Sequence, residues 1–276
     1  MAMQKRLFAT AGMLMFAAMN AAPADPPLHV LASNGVKAVI DELRPKAVRA
    51  VGRPLAIEYD TSSSVKKRIE SGEAFEVAIL TSDVIDELAK AGKIAAADRT
   101  EIARCGIGVG VRAGAPKPDI STSDALKRTL LAAKSVTFAQ DGASRAYILQ
   151  MFDKFGIADV MKPKTILEQG STRSNARVAD GSAEMIMTLV SEILPAKGVQ
   201  LVGPLPADVQ HYVNFAAGIS ATNKDANAAK RLMKFLASSD AGPALTTMGM
   251  GPLRVIRSTC AKLDAGPRAM MRTCRG

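Results

Sequence analysis

A chain of 276 residues with 36 Lys plus Arg against 26 Asp plus Glu carries a formal net charge of +10, yet only 4% of its residues are aromatic and none is Trp. The excess forms no block of five or six like charges, and aromatic platforms for stacking bases are lacking, which excludes a nucleic-acid-binding stripe and leaves a general attraction toward anions. The three cysteines, Cys105, Cys260 and Cys274, have no zinc-site spacing.

Lys5 and Arg6 precede an uncharged run over 7–19, and Ala22-Pro23-Ala24 supplies an A-x-A site. That is the pattern of a secretory signal peptide over 1–24. A membrane span needs about 20 apolar residues, and no later segment offers them. Export permits disulfides, so a bridge between Cys260 and Cys274 stays open, while Cys105 sits in an apolar run that suits a buried thiol.

The first strand is expected over 28–32 and ends in Ser33-Asn34-Gly35. Residues 36–51 then show helical spacing, with Pro45 inside the pattern predicting a kink or a break. A second strand, 55–59, leads to Thr61-Ser62-Ser63-Ser64 and a helix stopped by Gly72; 77–80 is short and wholly apolar, as a buried parallel strand requires. Thr61–Ser64 place hydroxyls at a helix N-terminus on the carboxyl end of a strand. Such a turn either caps its helix alone or receives an anion on its unpaired N–H groups. Thr81-Ser82-Asp83 opens a third helix. This alternation implies a parallel sheet with right-handed crossovers.

Cys105–Arg112, CGIGVGVR, reads as a strand crossing between two lobes, its glycines allowing close backbone approach. A helix over 123–133 and a strand over 135–138 lead to the turn Gln140–Arg145, which bears Gly142 and opens a helix over 146–155. A strand over 165–167 precedes another polar turn, Gln169–Asn175, and 185–189 is again short and apolar. Glu192–Pro195 reads as a bend, 212–220 as a second crossing strand, and 226–236 as an amphipathic helix. The lobes are expected over 25–106 with a return segment at 213–254, and over 107–212; 255–276 is a basic tail.

The order of these turns, Tyr59–Ser64 and then Glu76–Asp83, resembles the periplasmic molybdate-binding proteins of ABC transporters, which are type II periplasmic binding proteins. Ser191–Leu194 and Gly203–Gln210 are similar to a divergent branch of that family. The resemblance spans 28–253. It implies an α/β fold of two lobes, each a mixed sheet flanked by helices, with the ligand cleft between them. It also implies a periplasmic monomer that passes a small anion to the permease of an ABC transporter, with no cofactor, no metal and no nucleic-acid partner.

In the family's oxyanion site a Ser from each of the first two turns, a backbone N–H from the turn in the second lobe and a Tyr hydroxyl surround the anion. Ser62, with Ser63 beside it, matches the second Ser. The first falls on Gly35, with Ser33 and Asn34 adjacent, and the later turn matches Gly142, Ala143 and Ser144. Leu189 stands at the Tyr position and cannot donate. Each charge-assisted bond is worth about 1.5–3 kcal/mol, so losing two moves a micromolar site toward millimolar. Arg145 and Arg173 lie in polar turns of the second lobe and would suit a carboxylate if they reached the cleft. The expected function is capture of an organic carboxylate; the alternatives are a molybdate- or tungstate-type oxyanion receptor and a secreted enzyme on the same fold. His29, His211 and the pair Asp60 and Asp83 form no recognisable catalytic set, so the expectation is a binding protein and not an enzyme.

Overall fold

The structure is a computed structural model that describes residues 25–223 and 226–251. The signal-peptide pattern, the Cys260 and Cys274 pair and the basic tail lie outside the described residues. The expected alternation gives β1 (Leu28–Ser33), β2 (Leu55–Asp60) and β3 (Val77–Thr81), paired in parallel with β1 in the middle. Between and after them run α1 (Lys37–Val51), α2 (Ser62–Glu70) and α3 (Ser82–Lys90). Both faces of this sheet are covered. Leu28, Val30, Val77 and Ile79 face a core shared with α1, whereas Leu31, Ala78 and Leu80 face one shared with α2 and α3. Burying each large aliphatic side chain contributes about 1.5–3 kcal/mol.

α1 does not break at Pro45. Its buried positions, Val39, Ile40 and Leu43 before the proline and Ala47 and Val51 after it, hold the helix to the sheet on both sides. Pro45 itself is exposed, so the carbonyl it leaves unpaired can turn to water.

β4 (Ile94–Arg112) is longer than its sequence suggests. Its first part pairs antiparallel with β9 (Tyr212–Ser220), which also pairs with β3. Residues 107–112 pair instead with β7 (Met185–Leu189) and β8 (Val199–Pro204). β4 is thus the strand common to both lobes. β9 pairs only on the first side, so it is not the second crossing strand; the chain returns through 205–211. The glycines of β4 do permit close approach: a Cβ at Gly110 would stand 2.9 Å from Ile186 and 3.0 Å from both Ile193 and Val199.

The second lobe carries α4 (Ser123–Ala132), β5 (Val136–Ala139), α5 (Arg145–Lys154) and α6 (Ala158–Met161). β6 (Thr165–Glu168), α7 (Gly170–Asp180) and α8 (Val190–Ile193) follow. β5 lies between β6 and β7, parallel to both. The polar turn expected at Gln169–Asn175 is the first half of α7. Its inner face is Ser171, Ser174, Asn175 and Val178, too polar to give an apolar period. α9 (Asn227–Leu236), α10 (Gly242–Thr247) and β10 (Met250–Gly251) complete the first lobe, and the main strand order is β2-β1-β3-β9-β4-β7-β5-β6. Among the described residues no helix is long and apolar enough to cross a membrane.

Candidate functional site

Four strand ends deliver their following turns to one small chamber between the lobes. Ser33 and Asn34 come from the end of β1, Thr61 and Ser62 from the end of β2, and Ala139, Gly142 and Ala143 from the end of β5. Ser171 at the start of α7, Leu189 at the end of β7 and Glu192 on α8 close it. The carboxyl ends of parallel strands are where open α/β sheets bind ligands, because helix N-termini gather there.

The hydroxyls are arranged to donate. Ser33 Oγ accepts the Gly35 N–H at 3.3 Å, and Ser62 Oγ accepts the Thr81 N–H at 3.1 Å. Each bond uses a lone pair and leaves the hydroxyl proton for another acceptor. The N–H groups of Ser62 and Ser63 precede the first intrahelical bond of α2, from Val65 N to Thr61 O at 3.0 Å.

Gly35 offers no hydroxyl and has no room for one. A Cβ there would stand 2.6 Å from Phe215 Cζ and 2.9 Å from Leu189 Cδ1. The Gly35 carbonyl accepts from Ser191 Oγ at 2.7 Å, and Leu189, 2% exposed, fills the floor beside it. Phe215 and Leu189 together occupy the space that a serine side chain at residue 35 would need.

Of the remaining expected residues, Ser63 lines a neighbouring opening and donates to the Asp141 carbonyl at 3.0 Å. Ser144 is buried, and its carbonyl accepts the Ile148 N–H at 3.0 Å; it does not line the chamber. Arg145 and Arg173 are exposed and line neither the chamber nor the two openings beside it. Neither guanidinium is therefore placed to hold a carboxylate in the cleft.

What the sequence reading passed over is Glu192. Its Oε1 accepts from Ser171 Oγ at 2.8 Å, its Oε2 from Thr188 Oγ1, and its backbone carbonyl from Asn175 Nδ2 at 3.0 Å. Burial pushes its carboxyl above the ordinary carboxylate range; the two hydroxyl donors pull the other way, and the charge of Asp141 adds to the rise. One signal was available: Glu192 is the only charged residue between Glu184 and Lys197.

Asp141 is the second such residue. Its Oδ2 lies 2.9 Å from Thr61 Oγ1 and 3.4 Å from Ser64 Oγ, while its Oδ1 accepts the Gly170 N–H at 3.3 Å. It therefore joins the N-terminus of α2 in one lobe to that of α7 in the other.

A cavity adjoins the chamber on each side and shares lining residues with it. Asn34, Ser171 and Glu192 line both the chamber and a side cavity of about 390 Å³ between α1 and the α7–α8 pair. Ser62, Gly142 and Ala143 line both the chamber and a second opening of about 370 Å³, where Tyr147 stacks on His211 at 3.2 Å between centroids. Burial lowers the His211 pKa. Asp83 also lines this opening, whereas Asp60 accepts the N–H of Thr61 at 2.7 Å as a strand-end turn. His29, Glu58 and Glu73 approach one another closely enough to hold a cation, but Arg68 pairs with both carboxylates, and none of the three lines the chamber. Cys105 is a buried thiol, 3.4 Å from Ser191 Oγ.

Residues 28–251 match a family model described as bacterial extracellular solute-binding protein. The chain is 30% identical over 250 residues to an aconitate isomerase of a Pseudomonas species, covering 88% of this chain and 95% of that one. Among solved structures it is similar to the periplasmic molybdate-binding protein of Azotobacter vinelandii, with TM-score 0.71, 16% identity and coverage of 82% and 100%. It is also similar to a sulfate-binding protein of Mycobacterium tuberculosis, with TM-score 0.66, 18% identity and coverage of 83% and 88%. At these identities the structural likeness establishes the two-lobed fold.

Proposed function

Because the chain belongs to the bacterial extracellular solute-binding protein family, we propose that it captures a small organic carboxylate in the interlobe cleft, within the periplasm, and presents it to an ABC-transporter permease. The observation that carries this reading is the adjacency of the chamber and the side cavity, which share Asn34, Ser171 and Glu192 as lining. Hydroxyl and amide donors at the chamber suit one carboxylate. Ala38, Ala176, Pro195 and Ala196 then give the adjoining cavity apolar walls. A tetrahedral oxyanion has no carbon skeleton to lay against them.

Glu192 favours a second reading, proton-transfer catalysis on an unsaturated carboxylate. A desolvated carboxyl with a raised proton affinity, held by two hydroxyls where the carbon chain of a ligand would lie, has the properties of a general acid–base group. As a carboxylate it would take a proton from the carbon next to a double bond. As the resulting acid it would return that proton to the far alkene carbon, so the double bond moves and no atom is gained or lost. The likeness to an aconitate isomerase supports this reading.

One set of measurements separates the possibilities. Thermal shift against molybdate, tungstate and a panel of di- and tricarboxylates tests binding; a ligand at 100 times its Kd adds about 2.7 kcal/mol of stability. NMR of aconitate with the protein in deuterium oxide tests chemistry. The receptor reading expects a carboxylate shift and an unchanged spectrum. The enzyme reading expects isomer interconversion, with deuterium entering only as far as the Glu192 acid exchanges with solvent before the return, and both are lost in Glu192→Gln while binding persists. A shift from molybdate or tungstate alone would refute both.

A further inference from the structure

We propose that the ligand bears at least two carboxylates and that the second is held in the side cavity by Lys197 and Lys37; this deepens the organic-carboxylate reading above and rests on it. The side cavity lies between α1 of one lobe and α7 and α8 of the other, and it meets the chamber at Asn34, Ser171 and Glu192. A molecule with one end among the helix N-termini would run past these three shared residues, lay its carbon chain along the small apolar walls, and end near the lysines. Lys37 and Lys197 are the cationic side chains of the cavity, one from each lobe.

Their surroundings leave both available. Lys197 makes no ion pair among the described residues. Lys37 Nζ lies 2.5 Å from Asp41 Oδ2 and 4.4 Å from the centre of the Tyr59 ring. Asp41, the one other carboxylate of the cavity besides Glu192, does not depend on Lys37 alone. It also accepts from Tyr59 Oη at 2.9 Å and Arg44 Nη2 at 3.4 Å, so Lys37 can turn to a ligand without stranding a bare charge. Because the lysines come from opposite lobes, a carboxylate between them also holds the cleft closed. A monocarboxylate of equal length would fill the same walls and leave both ammonium groups to water. Selection should therefore follow the second charge and not the size of the skeleton.

Calorimetric titration of the whole protein with glutarate, tricarballylate and butyrate tests this. The expected result is at least tenfold tighter binding of glutarate and tricarballylate than of butyrate. Lys37→Ala/Lys197→Ala should reduce that preference to within twofold and leave butyrate affinity unchanged. Both lysines are exposed, and a melting temperature of the unliganded double variant close to wild type confirms that it folds. Equal affinity for glutarate and butyrate in the wild type, or an undiminished preference in the double variant, would overturn the subsite while leaving carboxylate capture standing. If none of the three binds and molybdate does, carboxylate capture itself fails, and the subsite with it.

Discussion

Glu192 is the residue whose environment most changes its ordinary chemistry. Burial makes the folded protein hold its proton more tightly than the unfolded chain does, despite the donors Thr188 and Ser171. The folded state therefore binds more protons from about the ordinary value of 4.5 upward, and stability falls with rising pH across that window. The loss is complete above the raised folded value. Glu192→Gln keeps the shape and one acceptor but cannot ionise. Urea denaturation at pH 5, 6, 7 and 8 should show the variant gaining on the wild type as pH rises, by at most about 1.4 kcal/mol per unit. A difference independent of pH would mean that Glu192 ionises as freely as in the unfolded chain. The sequence could not announce this, because a single glutamate in an apolar stretch reads equally well as a helix end. Gly35 was visible as a departure, but its cause was not. The clash with Phe215 and Leu189 joins segments far apart in the chain.

At the scale of elements, α2 carries the argument. Thr61–Ser64 could be recognised as an anion-receiving helix start because strand, hydroxyl run and apolar period follow one another directly. The anion it meets could not be read, since Asp141 arrives from 80 residues away. That carboxylate occupies hydroxyls at the α2 N-terminus and an N–H at the α7 N-terminus, so it supplies between the lobes the kind of charge a ligand would bring. Each of the two charge-assisted bonds that cross between the lobes, to Thr61 and Ser64, favours the closed arrangement by about 1.5–3 kcal/mol. Asp141→Ala should let the unliganded protein open, raising its radius of gyration in small-angle scattering, and a bound carboxylate should restore the wild-type curve. Asp141→Asn, which keeps hydrogen bonding without charge, should fall between. Identical curves for all three unliganded proteins would show that Asp141 does not hold the lobes together. β4 was half hidden for a related reason. Asp98, Arg99 and Glu101 mask its outer part as loop, although Arg99 pairs with Asp86 and Glu101 along that edge.

The whole molecule depends on how two lobes share one strand. β4 changes partners between Gly106, opposite Tyr212 of β9, and Ile107, opposite Leu189 of β7. Any opening of the cleft must be absorbed there and in the returning segment 205–211. Gln210 spans the two: its Oε1 accepts the N–H of Ile107 and that of His211, both at 2.9 Å, and its Nε2 donates to the Ile107 carbonyl at 3.0 Å. One side chain thus reinforces the main-chain bonds at the pivot, where the Ile107 N–H also donates to the His211 carbonyl at 3.3 Å and the Ile107 carbonyl also accepts the Leu205 N–H at 3.0 Å. The hinge is stiffened at its pivot while the lobes remain free to rotate about it. Gln210→Ala removes one of the two partners of each Ile107 backbone group and should cost about 0.5–1.5 kcal/mol in urea denaturation. A general packing defect would speed amide exchange throughout the first lobe. A hinge role instead confines the acceleration to Ile107, His211 and their neighbours, leaving amides of β1 and β3 at wild-type rates, and weakens ligand binding although Gln210 lines neither the chamber nor the side cavity. Exchange at Ile107 unchanged from wild type would remove Gln210 from the hinge. Uniform acceleration would reduce it to a packing residue, and the pivot would then rest on the strand pairing of β4 alone.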